Sequence, residues 1–327
     1  MKYLNIKKIT AVLLAAAAIS STLCSCGGDT PTYEKDSPDE PDKLKIVTTI
    51  FPPYDFSRQL AGDLADVTML LGPGEEAHTY EPTPQDIIKI QESDIFIYSG
   101  GESESWVNGI LGSFDSSGIK IIDMMELCDT VEEELVPGMQ TEVEETGGAS
   151  EKEYDEHVWT SIDNAQIITQ AISDTLCEAD EPNAAVYTEN CESYLSELSS
   201  VKKEISQTVS GGVRKTLVFG DRFPVRYFTD EFGLDYYAAF PGCAEQSEPS
   251  AGTVAFLIDK VEEEDIPVVF YMELSNGKIA DTIAESTNAK TLCFNSCHNI
   301  SMGQYLDGVT YADLMRENCE ALKEALY

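Results

Sequence analysis

Histidine is almost missing from this chain, with three in 327 residues, and cations are outnumbered, with 21 Lys and Arg against 59 Asp and Glu. The formal net charge of −38 sets up a field that repels polyanions and gathers cations, which excludes nucleic acid and anionic headgroups as partners. Long hydrophobic runs are lacking as well: the most apolar stretch, from Ile9 to about Ile19, falls well short of the roughly 20 residues that a bilayer-spanning helix needs. No GxSxG, GxGxxG, Walker loop or HExxH occurs. Those absences remove the nucleophile elbow, the dinucleotide fingerprint, the P-loop and the zincin helix.

What is present begins with an export signal. Lys2, Lys7 and Lys8 precede the apolar stretch, small residues follow it, and Leu23-Cys24-Ser25-Cys26 resembles a lipobox, in which an apolar residue stands three before a cysteine that is lipidated and becomes the new N-terminus. Cys26 fits that rule better than Cys24, and the alternative is an ordinary cleaved signal. Cleavage after residue 25 removes three lysines and no acids, leaving 59 acids against 18 bases, a mature charge of −41. Residues 26–43 are polar, acidic and Pro-rich, a disordered tether that cannot bury enough apolar surface to fold.

The remaining chain is long for one core and suits two lobes. Short apolar runs (LKIVTTI from Leu44, VTMLL from Val67, IFIY from Ile95, IKII from Ile119) alternate with helix-like stretches near 54–63, 84–92 and 104–112, and another helix follows at 162–178. The scheme repeats with TLVF from Thr216, LDYYAAF from Leu234, PVVFYM from Pro267 and AKTLCF from Ala289. This alternation predicts an α/β fold with two parallel-sheet βα lobes, at 44–181 and 211–327. Between them, residues 182–210 hold Tyr187, Cys191, Tyr194, Leu198, Val201 and Ile205 in steps of four and three, one apolar stripe on a long connecting helix. A glutamate-rich stretch from Asp129 to Tyr154, broken by Gly147-Gly148, has no periodicity and reads as a mobile acidic loop.

Nine cysteines become seven after processing, which leaves at least one free thiol. Cys128, Cys177, Cys191 and Cys319 lie among apolar residues at helical segments and read as small buried hydrophobes. Cys243 and Cys297 both fall in loops, and a bridge between them would pin the loop of His298.

The three histidines sit in loops rather than in apolar stripes: His78 in GPGEEAHTYEPTPQDI, His157 in DEHVWTS and His298 in FNSCHNIS. Neutral imidazole is the commonest transition-metal ligand, so together they point to a metal site. In parallel sheets ligands collect beyond the carboxyl ends of the strands. His78, His157 and His298, with Asp221 after TLVFG and Glu273 after VVFYM, all occupy strand-exit or helix-entry loops. Asp221 has structural alternatives, as cap of a helix near Pro224 or partner of Arg222, and Glu273 as cap of a helix near Ser275 or Asn276; Cys297 is a further soft donor.

Read at full length, from KIVTTIFPPYDF through HTYEPTPQDI, SDIFIYSG and DEHVWTSIDNA to the EFGL and EPSAGTV segments, the chain resembles the extracytoplasmic solute-binding lipoproteins of zinc and manganese ABC importers. The resemblance implies two α/β lobes on one long helix and metal ligation by His78 and His157. The family's third ligand falls near Gly220 to Arg222, where Asp221 is the only credible donor. Its fourth, commonly an aspartate in a D-S pair, is replaced by Asn295-Ser296, and His298 just beyond is inferred to take over. The family's histidine-rich loop is here glutamate-rich.

The expected function is therefore capture of one divalent ion by His78, His157, His298 and Asp221, without catalysis, for delivery to an ABC permease and its ATPase. Imidazoles with one carboxylate favour Zn²⁺, with Mn²⁺ as the alternative. The protein is expected to be a monomer, anchored extracytoplasmically to the membrane by lipid on Cys26. Rival readings are a secreted zinc hydrolase, with Glu273 or Glu76 as base, and a surface adhesin.

Overall fold

The computed structural model describes residues 43–76, 79–139, 154–242 and 248–327. The signal, Cys26, the tether up to residue 42, His78, residues 140–153 of the acidic stretch and Cys243 lie outside the described residues.

The first half is β1 (Leu44–Thr48), α1 (Phe51–Ala61), β2 (Ala65–Met69), α2 (Pro84–Gln91), β3 (Ile95–Tyr98), α3 (Trp106–Leu111) and β4 (Lys120–Asp123). Two helices follow, α4 (Ile162–Ala179) and α5 (Ala184–Gly211). The second half is β5 (Thr216–Phe223), α6 (Arg226–Phe232), β6 (Asp235–Pro241), α7 (Ala251–Glu263), β7 (Val268–Met272), α8 (Lys278–Ser286) and β8 (Lys290–Phe294), and the described chain closes with α9 (Met302–Asp307) and α10 (Tyr311–Leu326). Each of the eight apolar runs forms a strand. They build two parallel sheets of the same order, β2-β1-β3-β4 and β6-β5-β7-β8. Parallel strands are covered on both faces, which is why Ile95, Phe96 and Ile97 are all buried, as are Val268, Val269 and Phe270.

In each sheet the chain steps to one side of its first strand and then returns to the other, so the topological switch points lie between β1 and β3 and between β5 and β7. Loops leaving those strands are where a crevice opens. Gly220 allows the second crevice its shape: a Cβ there would stand 2.6 Å from the Ala280 backbone of α8.

The 28-residue α5 is about 42 Å long at 1.5 Å per residue. Its buried stripe runs Tyr187, Cys191, Tyr194, Leu198, Val201, Ile205 and Val209, and it packs on α1, α4 and α10. Pro182 does not open it, because Glu181–Asn183 form a separate 3-10 turn held by Asp180, which accepts from Asn183 Nδ2 and Tyr187 Oη, both at 2.7 Å. One core joins the inner faces of both sheets, with Ile46 and Ile97 in the same cluster as Phe219, Phe270 and Phe294. Smaller clusters fill the outer faces, around Phe96 in the first half and Phe240 in the second.

A buried carboxylate reinforces that junction. Asp55 of α1 accepts from the Tyr311 backbone N–H at 2.7 Å and from Tyr194 Oη at 3.0 Å, and Arg58 Nε donates to it at 2.7 Å. The same guanidinium reaches the carbonyls of Gly308 and Val309. Burial pushes the Asp55 carboxyl above its ordinary range, against these donors.

Cys297 is a free buried thiol, and the bridge to Cys243 considered from the sequence involves a residue outside the described ones. Cys128, Cys177, Cys191, Cys293 and Cys319 are free as well. Among the described residues no helix is long and apolar enough to cross a membrane.

Candidate metal centre

His157 is positioned by its own local sequence. Asp155, two residues earlier, accepts the His157 backbone N–H at 2.8 Å, and the same oxygen lies 2.9 Å from Nδ1. A carboxylate on Nδ1 fixes the tautomer and leaves Nε2 as the nitrogen able to take a metal. The imidazole is fully buried. Desolvation lowers its basicity, but the charge and hydrogen bond of Asp155 outweigh that, so its pKa is raised. Beside the ring Gly242 leaves a tight fit, since a Cβ there would stand 3.0 Å from Phe223 O, 3.2 Å from Pro224 Cα and 3.3 Å from His157 Cε1. A 3-10 turn, Val158–Thr160, follows at once and carries Trp159, whose Nε1 donates to the Ser296 carbonyl at 2.9 Å.

That bond crosses to the loop of His298. Here the organising group is Glu273, at the exit of β7. It accepts from Ser296 N at 2.7 Å, from Ser296 Oγ at 2.5 Å and from His298 N at 3.2 Å. Between them Cys297 adopts a left-handed φ of 62°, a conformation that costs a non-glycine residue about 1–2 kcal/mol and persists where neighbours enforce it. The His298 carbonyl accepts from Phe51 N at 3.3 Å, and Asn299 Nδ2 donates to the carbonyls of Gly72 and Glu75 at 2.9 and 2.8 Å. The loop is thus clasped by both halves.

The outcome is that two of the three histidines, distant in sequence, share one place. The His157 and His298 rings lie 5.5 Å apart between centroids, at 84°, and Trp159 packs against both, at 5.3 and 5.0 Å. An ion ~2.0–2.1 Å from a ring nitrogen lies about 3.2 Å from the centroid. Two rings 5.5 Å apart can therefore share one ion, at an angle of about 120°, close to tetrahedral.

His78 lies outside the described residues, but its neighbours reach this place. Glu76 lines one cavity with His298, and Tyr80 lines another with His298 and Glu104. Asp221 is employed differently from the expectation that it follows its strand. β5 continues through a register shift between Phe219 and Arg222, so Asp221 sits inside the irregular end, where its oxygens accept from Arg222 N at 2.9 Å and Met272 N at 3.2 Å. It does not cap α6, which starts at Arg226, and the Arg222 guanidinium goes to Glu76 at 2.9 and 3.3 Å. Glu273 does not cap α8, whose N-cap is Gly277. Asn295, in the place of the family's aspartate, is turned to α10, where its N–H donates to Asn318 Oδ1 at 2.7 Å and its carbonyl accepts from Asn318 Nδ2 at 2.8 Å. Among the described residues no three His, Cys, Asp or Glu side chains are gathered closely enough to hold an ion.

The acidic stretch is tied down at its described base. Glu132 and Tyr154 form an antiparallel bridge, Asp155 N donates to Val131 O at 2.9 Å, and Tyr227 Oη accepts from Val131 N at 3.2 Å while donating to Asp155 O at 2.6 Å. The main chain of Asp155, whose carboxylate orients His157, is thereby tied to α6.

Residues 46–325 match the family described as zinc-uptake complex component A, periplasmic. The chain belongs to that family. It is 30% identical over 317 residues to the high-affinity zinc uptake system protein ZnuA of Bacillus subtilis, covering 96% of this chain and 97% of that one. It is also 30% identical over 326 residues to the zinc-binding lipoprotein AdcA of Streptococcus pneumoniae, covering 97% of this chain but 61% of AdcA. The crystal structure of the Zn(II)-bound ZnuA-like domain of AdcA superposes with a TM-score of 0.71 at 29% identity, over 87% of this chain and 99% of that domain. As a member of the family this chain has the two-sheet α/β architecture predicted from its strand spacing.

Sequence reasoning missed three contributors to the centre: Asp155, Trp159 and Asn299. Asp155 carried a usable signal, since a carboxylate two residues before a loop histidine is a common way to orient an imidazole ligand. Trp159 and Asn299 act through the tertiary fold and left none.

Proposed function

We propose that the protein is the extracytoplasmic receptor of a zinc importer, capturing one Zn²⁺ with imidazoles from both halves and handing it to a membrane permease driven by an ATPase. The observation that carries this reading is the 5.5 Å separation of His157 and His298, with the His157 tautomer set by Asp155. His78 supplies the third nitrogen, from a segment whose flanks Glu76 and Tyr80 line cavities with His298. Asp221 is the fourth donor. A carboxylate oxygen accepting one N–H retains a second lone pair, so Asp221 can approach an ion without surrendering Arg222 N and Met272 N. Four protein ligands and no open position suit capture rather than hydrolysis, and an imidazole-rich set favours Zn²⁺ over Mn²⁺.

The reading divides the mature protein into lobes at 44–181 and 211–327 with residues 182–210 as their spine. The lobes share one core, so loading reorders loops more than it swings lobes. The protein acts as a monomer held at the membrane by lipid on Cys26. The experiment is elemental analysis and competitive titration of the mature protein. One tightly held Zn²⁺ per chain, outcompeting Mn²⁺, is expected, and a preparation with no affinity for either ion sinks the proposal. Replacing Cys26 by Ser should release the protein from membranes, and continued retention refutes the anchor.

A further inference from the structure

The segment from Gly72 to Glu76, which leads to His78, is fastened to the second half at two points of opposite character. One is Asn299, 3% exposed, whose side-chain amide donates to the carbonyls of Gly72 and Glu75. Buried neutral hydrogen bonds of this kind are costly to leave unmade and stay closed. The other is a forked ion pair, Arg222 to Glu76, at 2.9 and 3.3 Å. Its side chains are 29% and 46% exposed, where such pairs are marginal and screened by salt. Both partners line the cavity that also holds Glu273, Ser296 and His298.

We propose that the Arg222–Glu76 pair is a strap across the mouth of the metal cavity that sets the rate at which the ion leaves. The proposal rests on the zinc-binding reading above. Asn299 serves as the fixed end of the segment and Arg222 as the end that opens. Glu76 has a second duty, because it sets a negative charge against a guanidinium in the lining of the same cavity.

The two partners are therefore not equivalent, and their variants separate. Arg222→Gln releases Zn²⁺ to a chelator in stopped flow roughly two- to five-fold faster, the range expected for losing one exposed ion pair, without slowing capture. Glu76→Gln also releases faster but captures more slowly, since a carboxylate beside the Arg222 guanidinium is removed from the cavity lining. In the double variant the release effect is no larger than in either single one. Raising NaCl from about 0.02 to about 0.5 M speeds release from the wild type and leaves Arg222→Gln unchanged. Release from Arg222→Gln at the wild-type rate, or additive effects in the double variant, overturns the strap. So does a Glu76→Gln variant that loses affinity more than a hundred-fold, which makes Glu76 a ligand. Hydrogen exchange of the metal-free protein provides a readout independent of zinc: the Glu75 amide, bonded to Gly72 O at 3.0 Å, should exchange faster in Arg222→Gln, and equal exchange also overturns the strap. Wild-type protein that takes up no zinc while this exchange difference persists sinks the functional reading instead.

Discussion

His157 and His298 meet at one point, yet the two halves hold them by different means. In the first, a carboxylate grips the ring: Asp155 sits 2.9 Å from Nδ1, which settles tautomer and orientation before any ion arrives. In the second, a carboxylate grips the main chain: Glu273 accepts from Ser296 and His298 N–H groups, which settles where the loop runs. One half fixes its histidine through the ring nitrogen and the other through the main chain. A ring whose tautomer and orientation are preset needs no reordering before it can donate to an ion.

The comparison breaks most severely if His157 is dispensable. His157→Ala should weaken zinc binding a thousand-fold or more in a competition titration, and a loss below ten-fold would mean that His298 and its neighbours hold the ion without it. Asp155→Asn comes next, with a loss of 10- to 100-fold, as for other partners that orient a ligand. Because imidazole must be deprotonated to bind, and Asp155 raises the His157 pKa, binding should fail on acidification at a higher pH in the wild type than in Asp155→Asn. Identical pH profiles for the two proteins would contradict the ring grip. Glu273→Gln should cost less, about ten-fold, because an amide retains one acceptor for the loop and Glu273 bonds the main chain of His298 rather than its ring. A loss equal to that of Asp155→Asn would erase the distinction between the halves.

The architecture was legible because its signals are local. Each strand is a short apolar run bounded by turn residues, and the stripe from Tyr187 to Ile205 carries its helical period in the open. The histidines stood out through rarity and loop context, and the fold brings two of them, His157 and His298, together. The work of Asp221 was not, because it depends on a register shift in β5 and on the nearness of Met272, neither of which leaves a pattern in the chain. Arg222 likewise reads in sequence as a neighbour of Asp221, whereas its guanidinium crosses to Glu76, 146 residues away. Glu273 shows how near such a reading can come: its place at a strand exit was recognised, but the groups it would meet, Ser296 and His298, are set by the pairing of β7 with β8.

The first half has its own counterpart to Glu273, which gives the comparison its finest test. Glu104, in the loop leaving β3, is buried and accepts from Ser99 N at 2.6 Å and Gly100 N at 3.1 Å. Burial pushes its pKa up to about 7, against those donors. A carboxyl whose folded pKa lies above its unfolded value favours folding in its neutral form. Its contribution is complete below about 4.5 and is lost as pH rises through about 7. Metal-free wild-type protein should therefore lose up to about 3 kcal/mol from this group between those limits, whereas Glu104→Gln, neutral throughout and still an acceptor, should not. Thermal melts of the two proteins should converge near pH 4.5 and separate by several degrees near pH 8, with the variant the more stable. Zinc affinity should change by no more than about threefold, because Glu104 braces a loop that carries no imidazole. Parallel melting curves across that range would show that the Glu104 carboxyl ionises at no cost, and that the buried carboxylates beyond β3 and β7 are not the matched pair their positions suggest.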